Sequence, residues 1–191
     1  MEHLTKAALA GRIRSERRDK GWTLERFAEA SGVSRAMISK IERGEVSPTA
    51  AILARLAAGL GTSLASLFSV QPSADARTAP ALHRWESQQD WTDPESGYVR
   101  RNVSPPGSAA DVVYVTFPAG ARVTFDNDKP SDGLEQQVWI LEGAMELTIG
   151  GNTTSLSVGD SLRMRLDEPL VFHNPGEADA RYVVVLARRS D

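Results

Sequence analysis

Apolar positions along the chain change their period once, near residue 70. Before it they recur at helical spacing. Leu9 and Ile13, followed by Glu16 to Arg18, predict a first amphipathic helix that Gly21 ends. Thr23 is placed to cap a short second helix burying Leu24, Phe27 and Ala28, and Ser31-Gly32 marks a turn. Ser34 caps a third helix running to Glu42, with Met37, Ile38 and Ile41 on its apolar side and Gly44 as its stop. Ser47-Pro48 reads as N-cap and first position of a fourth helix carrying Ile52, Leu53, Leu56 and Leu60. Gly61-Thr62 closes that helix and caps a last one ending near Leu67-Phe68.

After residue 82 the texture is one of short β-rich runs. They fall at 98–103, 112–117, 137–141, 145–149, 154–156, 161–166, 170–173 and 182–186. Turn clusters separate them, among them Gly150-Gly151-Asn152, Gly159-Asp160 and Asn174-Pro175-Gly176. Many short strands at even spacing predict a sandwich or small barrel. Between the two textures lies Q-P-S-A-D-A-R-T-A-P-A, residues 71–81, small, polar and proline-bounded, which predicts a linker. The expected organisation is α+β in two domains, helical over 5–70 and β over 82–191.

Charge sharpens the division. Residues 1–70 hold 11 Lys and Arg against 7 Asp and Glu, a net +4, whereas the remainder is −7. A basic module joined to an acidic one suggests different partners. The 191 residues contain no cysteine, which removes disulfides, thiolate metal sites and cysteine nucleophiles from consideration. No apolar run approaches the roughly 20 residues of a membrane span, and no secretory h-region is evident, so a cytoplasmic protein without a membrane partner is expected.

The third helix leaves Arg35, Ser39, Lys40 and Arg43 on its polar side. Such a mixture of cationic and hydrogen-bonding groups suits base edges and phosphates. The segments I-R-S-E-R-R-D-K-G-W-T-L and S-G-V-S-R-A-M-I-S-K-I-E-R-G, then S-P at 47–48 with L-A-x-L and L-x-x-L-F behind it, carry a resemblance over residues 9–68. It is to the lambda-repressor/Cro-like, or Xre-type, helix-turn-helix transcriptional regulators. The resemblance implies a five-helix DNA-binding domain whose third helix lies in the major groove. By position it places Ser34, Arg35, Ala36, Met37, Ser39 and Lys40 toward DNA, and Thr23 near a phosphate. Many such proteins have Gln just after the position of Thr23. Here Leu24 stands there, so no side-chain contact is expected from it. Arg12, Arg14, Arg17 and Arg18 are individually open between phosphate contact and a solvated face.

From Asp111 to Arg188 the chain resembles a cupin, a double-stranded β-helix barrel, through W-I-L-E-G-A-M-E-L-T-I-G-G, L-S-V-G-D and P-L-V-F-H-N-P-G. Catalytic cupins hold a metal on His and carboxylate ligands. Aligned on Gly143 and Gly159, those positions fall near Lys129 to Asp132, at Gln136 and at Leu170, which is no ligand set for a transition metal. His173 lies three residues beyond its position. An oxygen-ligand cation site at Glu135 and Asp132 is a minor alternative. No metal or other cofactor is therefore expected. The barrel reads instead as an effector pocket, with Gln136 and Leu170 inward and Val138 and Phe172 beside them by alternation. Arg163 and Arg165 share a face; if it is the inner one, Arg163 is placed to clamp a carboxylate.

The expected protein is a sequence-specific regulator, a homodimer on a pseudo-palindromic double-stranded operator. It answers a small-molecule effector such as an amino acid or related metabolite. Two other readings remain open at this stage. One is a metal-dependent cupin isomerase or oxygenase with an ancillary helical domain, and the other is an interaction module such as an antitoxin.

Overall fold

The computed structural model describes residues 6–68, 81–127 and 133–188. Most of the expected linker, residues 71–80, lies outside the described residues. Five helices come first: α1 (Lys6–Asp19), α2 (Leu24–Ser31), α3 (Arg35–Glu42), α4 (Ala50–Leu60) and α5 (Leu64–Phe68). Ten strands follow: β1 (Asp90–Thr92), β2 (Val99–Asn102), β3 (Ala110–Phe117), β4 (Arg122–Phe125), β5 (Leu134–Glu142), β6 (Met145–Ile149), β7 (Asn152–Leu156), β8 (Ser161–Arg165), β9 (Leu170–His173) and β10 (Ala180–Arg188).

The helical core forms where the stripes of each helix meet. Leu9, Ile13, Phe27, Ile38, Ile41, Leu53 and Leu56 are all buried in it. Caps set the ends. The Thr23 and Ser34 hydroxyls accept N–H bonds from Arg26 and Met37, which satisfies donors that the first turns of α2 and α3 leave open. At Gly32 the chain leaves α2 in the left-handed region, φ 67°, and turns into α3. The small residue that lets two helices touch is Gly59. A methyl group there would lie 2.8 Å from the Ser31 Cα, so α2 and α4 meet nearly backbone to backbone.

Two caps differ from expectation. Helix α4 begins at Ala50 with Thr49 as N-cap, not at Ser47-Pro48, because the Thr49 hydroxyl takes the Ile52 N–H. Ser63 rather than Thr62 caps α5, accepting from the Ser66 N–H.

The strands make two facing antiparallel sheets, ordered β1-β2-β3-β10-β5-β8 and β4-β9-β6-β7. Burial alternates along them, as it must where one face meets the core. In β5, Gln136, Val138 and Ile140 point inward while Gln137 and Trp139 point out. Phe172 of β9 stacks on Tyr182 of β10 across the barrel, centroids 5.8 Å apart. Buried Asn174 pins one end by donating through Nδ2 to the carbonyls of Phe117, Pro118 and Ala178. Gly143, at φ 75°, passes so near β10 that a side chain would meet the Ala180 Cα at 3.0 Å. Two strands, β1 and β4, lie outside the runs read from sequence; both are short and border the sheets.

The helices pack on the barrel through named contacts. Asp93, just beyond β1, accepts the Ala50 N–H at 2.7 Å and so caps the first turn of α4 from the other domain. Its second oxygen is held by the Ser96 N–H and hydroxyl. Phe68 of α5 tilts against Trp91 of β1 at 5.4 Å. The Ser63 hydroxyl lies 3.4 Å from an Asp111 carboxylate oxygen at the start of β3.

Candidate functional site

Helix α3 presents two faces. Ile38 and Ile41 are buried, whereas Arg35, Ala36 and Lys40 are exposed and Ser39 is half-buried. Met37 is also half-buried and packs on the core edge, as does Leu24 of α2. Each cation on the exposed face is near an acid. Arg35 pairs with Glu25 of α2 at 2.6 Å, and both side chains are mostly in solvent. Arg43, the C-cap, pairs with Glu45 at 2.5 Å and also donates to the Ser39 hydroxyl. The Glu25 carboxyl is held below its ordinary value, first by its own backbone N–H at the start of α2, then by Arg35 and the Thr23 hydroxyl. Glu45 is lowered in the same sense, chiefly by its bond to Arg43. Exposed pairs of this kind contribute little to stability and exchange partners freely.

Beneath the face, α3 is fixed by a buried ion pair. Arg17 of α1 donates through Nε and Nη2 to the two Glu42 oxygens, each at 2.7 Å, and through Nη1 to the Trp22 carbonyl at 2.6 Å. The bond to Glu42 raises the Arg17 pKa further. This takes Arg17 out of the group of arginines open to phosphate contact. Arg12 pairs with Glu16 at 2.8 Å, and Arg14 and Arg18 are exposed.

The second site is a cavity of about 390 Å³ at the mouth of the barrel. Gln136, Leu170 and Phe172 line it together with Tyr98, Arg100, Val115, Phe117 and Tyr182. Part of its wall comes from the helical domain, including Ser31, Arg55, Ser63, Leu64 and Ala65. Val138 points inward but is packed wholly in the core and does not line the space. Arg163 is a correction. The alternation of β8 puts Leu162 and Met164 inside, so Arg163 and Arg165 stand on the outer face. Arg163, 71% exposed, approaches Glu135 at 3.6 Å, and Arg165 approaches Asp167.

Sequence reasoning missed the cavity's own arginine. Arg100 of β2 points inward beside Val115 and is 8% exposed. Its guanidinium lies over the Phe68 ring of α5 at 4.6 Å and is close to the Tyr98 phenol. Burial pushes its pKa below the ordinary value, and burial likewise pushes the Tyr98 and Tyr182 phenols up. The signal was faint: V-R-R-N holds two arginines, and only strand register tells which one is inside. Arg101 goes outward, onto the Trp85 ring and Asp90.

Among the described residues no group of three or more His, Asp or Glu is placed to hold a metal ion. Lys129 to Asp132 lie outside them. His173 points away from the barrel interior and bonds Glu146 at 2.9 Å. Among the described residues no helix is long and apolar enough to cross a membrane.

A capped helix pair presenting a polar face, joined to a ten-stranded barrel with an internal cavity, defines a DNA-binding regulator with a cupin domain. Comparison with known proteins agrees: the helix-turn-helix family matches residues 13–67 and the cupin domain family residues 113–186. The chain thus carries an Xre-type helix-turn-helix domain followed by a cupin domain, the make-up of a helix-turn-helix transcriptional regulator. It is 27% identical to the HTH-type transcriptional regulator SutR of Escherichia coli (strain K12), over 95% of both chains. To the HTH-type transcriptional regulator PuuR of the same organism it is 26% identical, over 90% of both. An HTH_3 family transcriptional regulator from Vibrio cholerae has the same fold, with a TM-score of 0.76 at 23% identity over 97% of each chain. These relatives match both domains at once and are named as regulators, so the chain is a transcriptional regulator and not an enzyme.

Proposed function

We propose that the protein works as a cytoplasmic homodimer that reads a pseudo-palindromic operator through α3 and releases or grips it according to a small molecule in the barrel cavity. Arg35, Ser39, Lys40 and Arg43 are the readers. Ser34, Ala36 and Met37 lie against the groove, and the N–H groups behind Thr23 face a phosphate. The observation that carries this is the exposed polar face of α3, where Arg35 and Arg43 pair with solvent-exposed acids that a phosphate can replace. Domains of 5–70 and 82–191, joined by 71–81, are the units of the switch. Trp139, 50% exposed on the outer face of β5 beside Val183, supports pairing of two barrels.

Selection of genomic fragments on the full-length protein, followed by hydroxyl-radical footprinting, tests this reading. The expected result is two protected half-sites of inverted sequence about 34 Å apart. Failure to enrich any fragment, or protection of a single half-site, would contradict it.

A further inference from the structure

Among the described residues the cavity holds one buried charge. Four charged ones line it: Glu29, Arg55, Asp126 and Arg100. The first three are exposed at its mouth, and Arg100 alone is buried. None of the ion pairs among the described residues includes Arg100. Its immediate neighbours are a phenol and an aromatic ring, which soften the desolvation of a guanidinium without neutralising it, while the Asp111 carboxylate acts on it through space without forming an ion pair. The protein's other buried arginines behave differently. Arg17 has Glu42, and Arg101 has Asp90. A buried charge without a carboxylate paired to it is costly, and a site that keeps one is matched to a ligand that supplies the partner.

The rest of the wall says what that ligand carries behind its charge. Phe117, Phe172, Tyr182 and Leu170 are apolar surface. Among the described residues the Gln136 side chain bonds only the Met164 sulfur, at 3.7 Å, so its amide is open to a further polar group.

We infer that the cavity binds a small organic carboxylate with an apolar or aromatic body, its charged end on Arg100. The inference rests on the reading of the barrel as an effector site, and it names the effector's chemistry. It also gives the signal a short route. Arg100 touches Phe68, the last described residue of the helical domain, and Ser63 to Ala65 of α5 form part of the same wall. A carboxylate that engages Arg100 therefore bears on both domains at once.

The test uses full-length protein with 3-phenylpropanoate, its neutral amide and 3-phenylpropylamine, followed by saturation-transfer NMR. The acid is expected to bind wild type at about millimolar concentration or better, with amide and amine about tenfold weaker or worse, as one charge-assisted bond dictates. Arg100→Lys should weaken the acid and Arg100→Met should lose it about tenfold or more. The Met variant should keep or slightly raise the melting temperature, since a buried charge is gone. Equal binding of acid, amide and amine, no binding of the acid to wild type, or undiminished acid binding by Arg100→Met each overturns the proposal. If Arg100→Met does not fold, the ranking of the three probes on wild type decides alone. Operator affinity measured alongside separates the two readings. Acid binding that leaves operator affinity unchanged keeps the anion site and removes the switch. Ligand-responsive operator binding with no preference for the acid does the reverse.

Discussion

The face of α3 and the barrel cavity each present an arginine, and the two are kept on opposite terms. Arg35 stands in solvent beside Glu25, where its charge costs little and its partner is exchangeable. Arg100 is buried on Phe68, and none of the ion pairs among the described residues includes it. Water makes the first a general-purpose contact for any phosphate; its exclusion makes the second selective for one charge and one shape. Arg17, buried and fully paired with Glu42, is the internal control for what a structural arginine looks like in this chain.

That contrast can be broken at its strongest point first. Glu42→Gln leaves Arg17 buried with its main partner gone and should cost about 3–5 kcal/mol in urea unfolding. If the loss is negligible, burial and pairing are poor guides to the role of arginines here, and the case for Arg100 weakens with it. A smaller effect is expected at the junction of the two regions. Asp93→Ala removes a cap supplied to α4 by the barrel and should cost about 1 kcal/mol, with the helical domain becoming more open to protease. Unchanged proteolysis would mean that the domains do not lean on that contact.

At the exposed end, Glu25→Gln should leave the melting temperature where it is. Affinity for random duplex should rise about twofold to fivefold at low salt, because an acid no longer competes with phosphate for Arg35. A drop in affinity would assign Glu25 a part in holding Arg35 in its reading position.

Legibility in the sequence follows the same division. Exposed and periodic features were readable: the five helices, the glycine that turns α2 into α3, eight of the strands and the outline of the reading face all follow from local pattern. Gln136, Leu170 and Phe172 could be placed in the cavity because cupin turns fix their register. What escaped depends on long-range contact. Thr49 instead of Ser47 starts α4, where Asp93, 43 residues downstream, takes the next N–H. Strand β1 is three residues with one buried, too short for any period to show. Arg100 sits in a stretch whose sequence carries little signal, and only its pairing with β3 turns it inward. Arg163 was undecidable only in appearance: with Leu162 and Met164 as its apolar neighbours, alternation already sends it outward.

The central claim, that α3 reads DNA, is tested most directly by fluorescence anisotropy of full-length protein on a selected operator across a salt series. The double variant Arg35→Ala with Lys40→Ala should bind about 10–100-fold more weakly than wild type and show a salt dependence shallower by about one counterion. Unchanged affinity with an unchanged salt slope, in a variant that melts like wild type, would contradict the account.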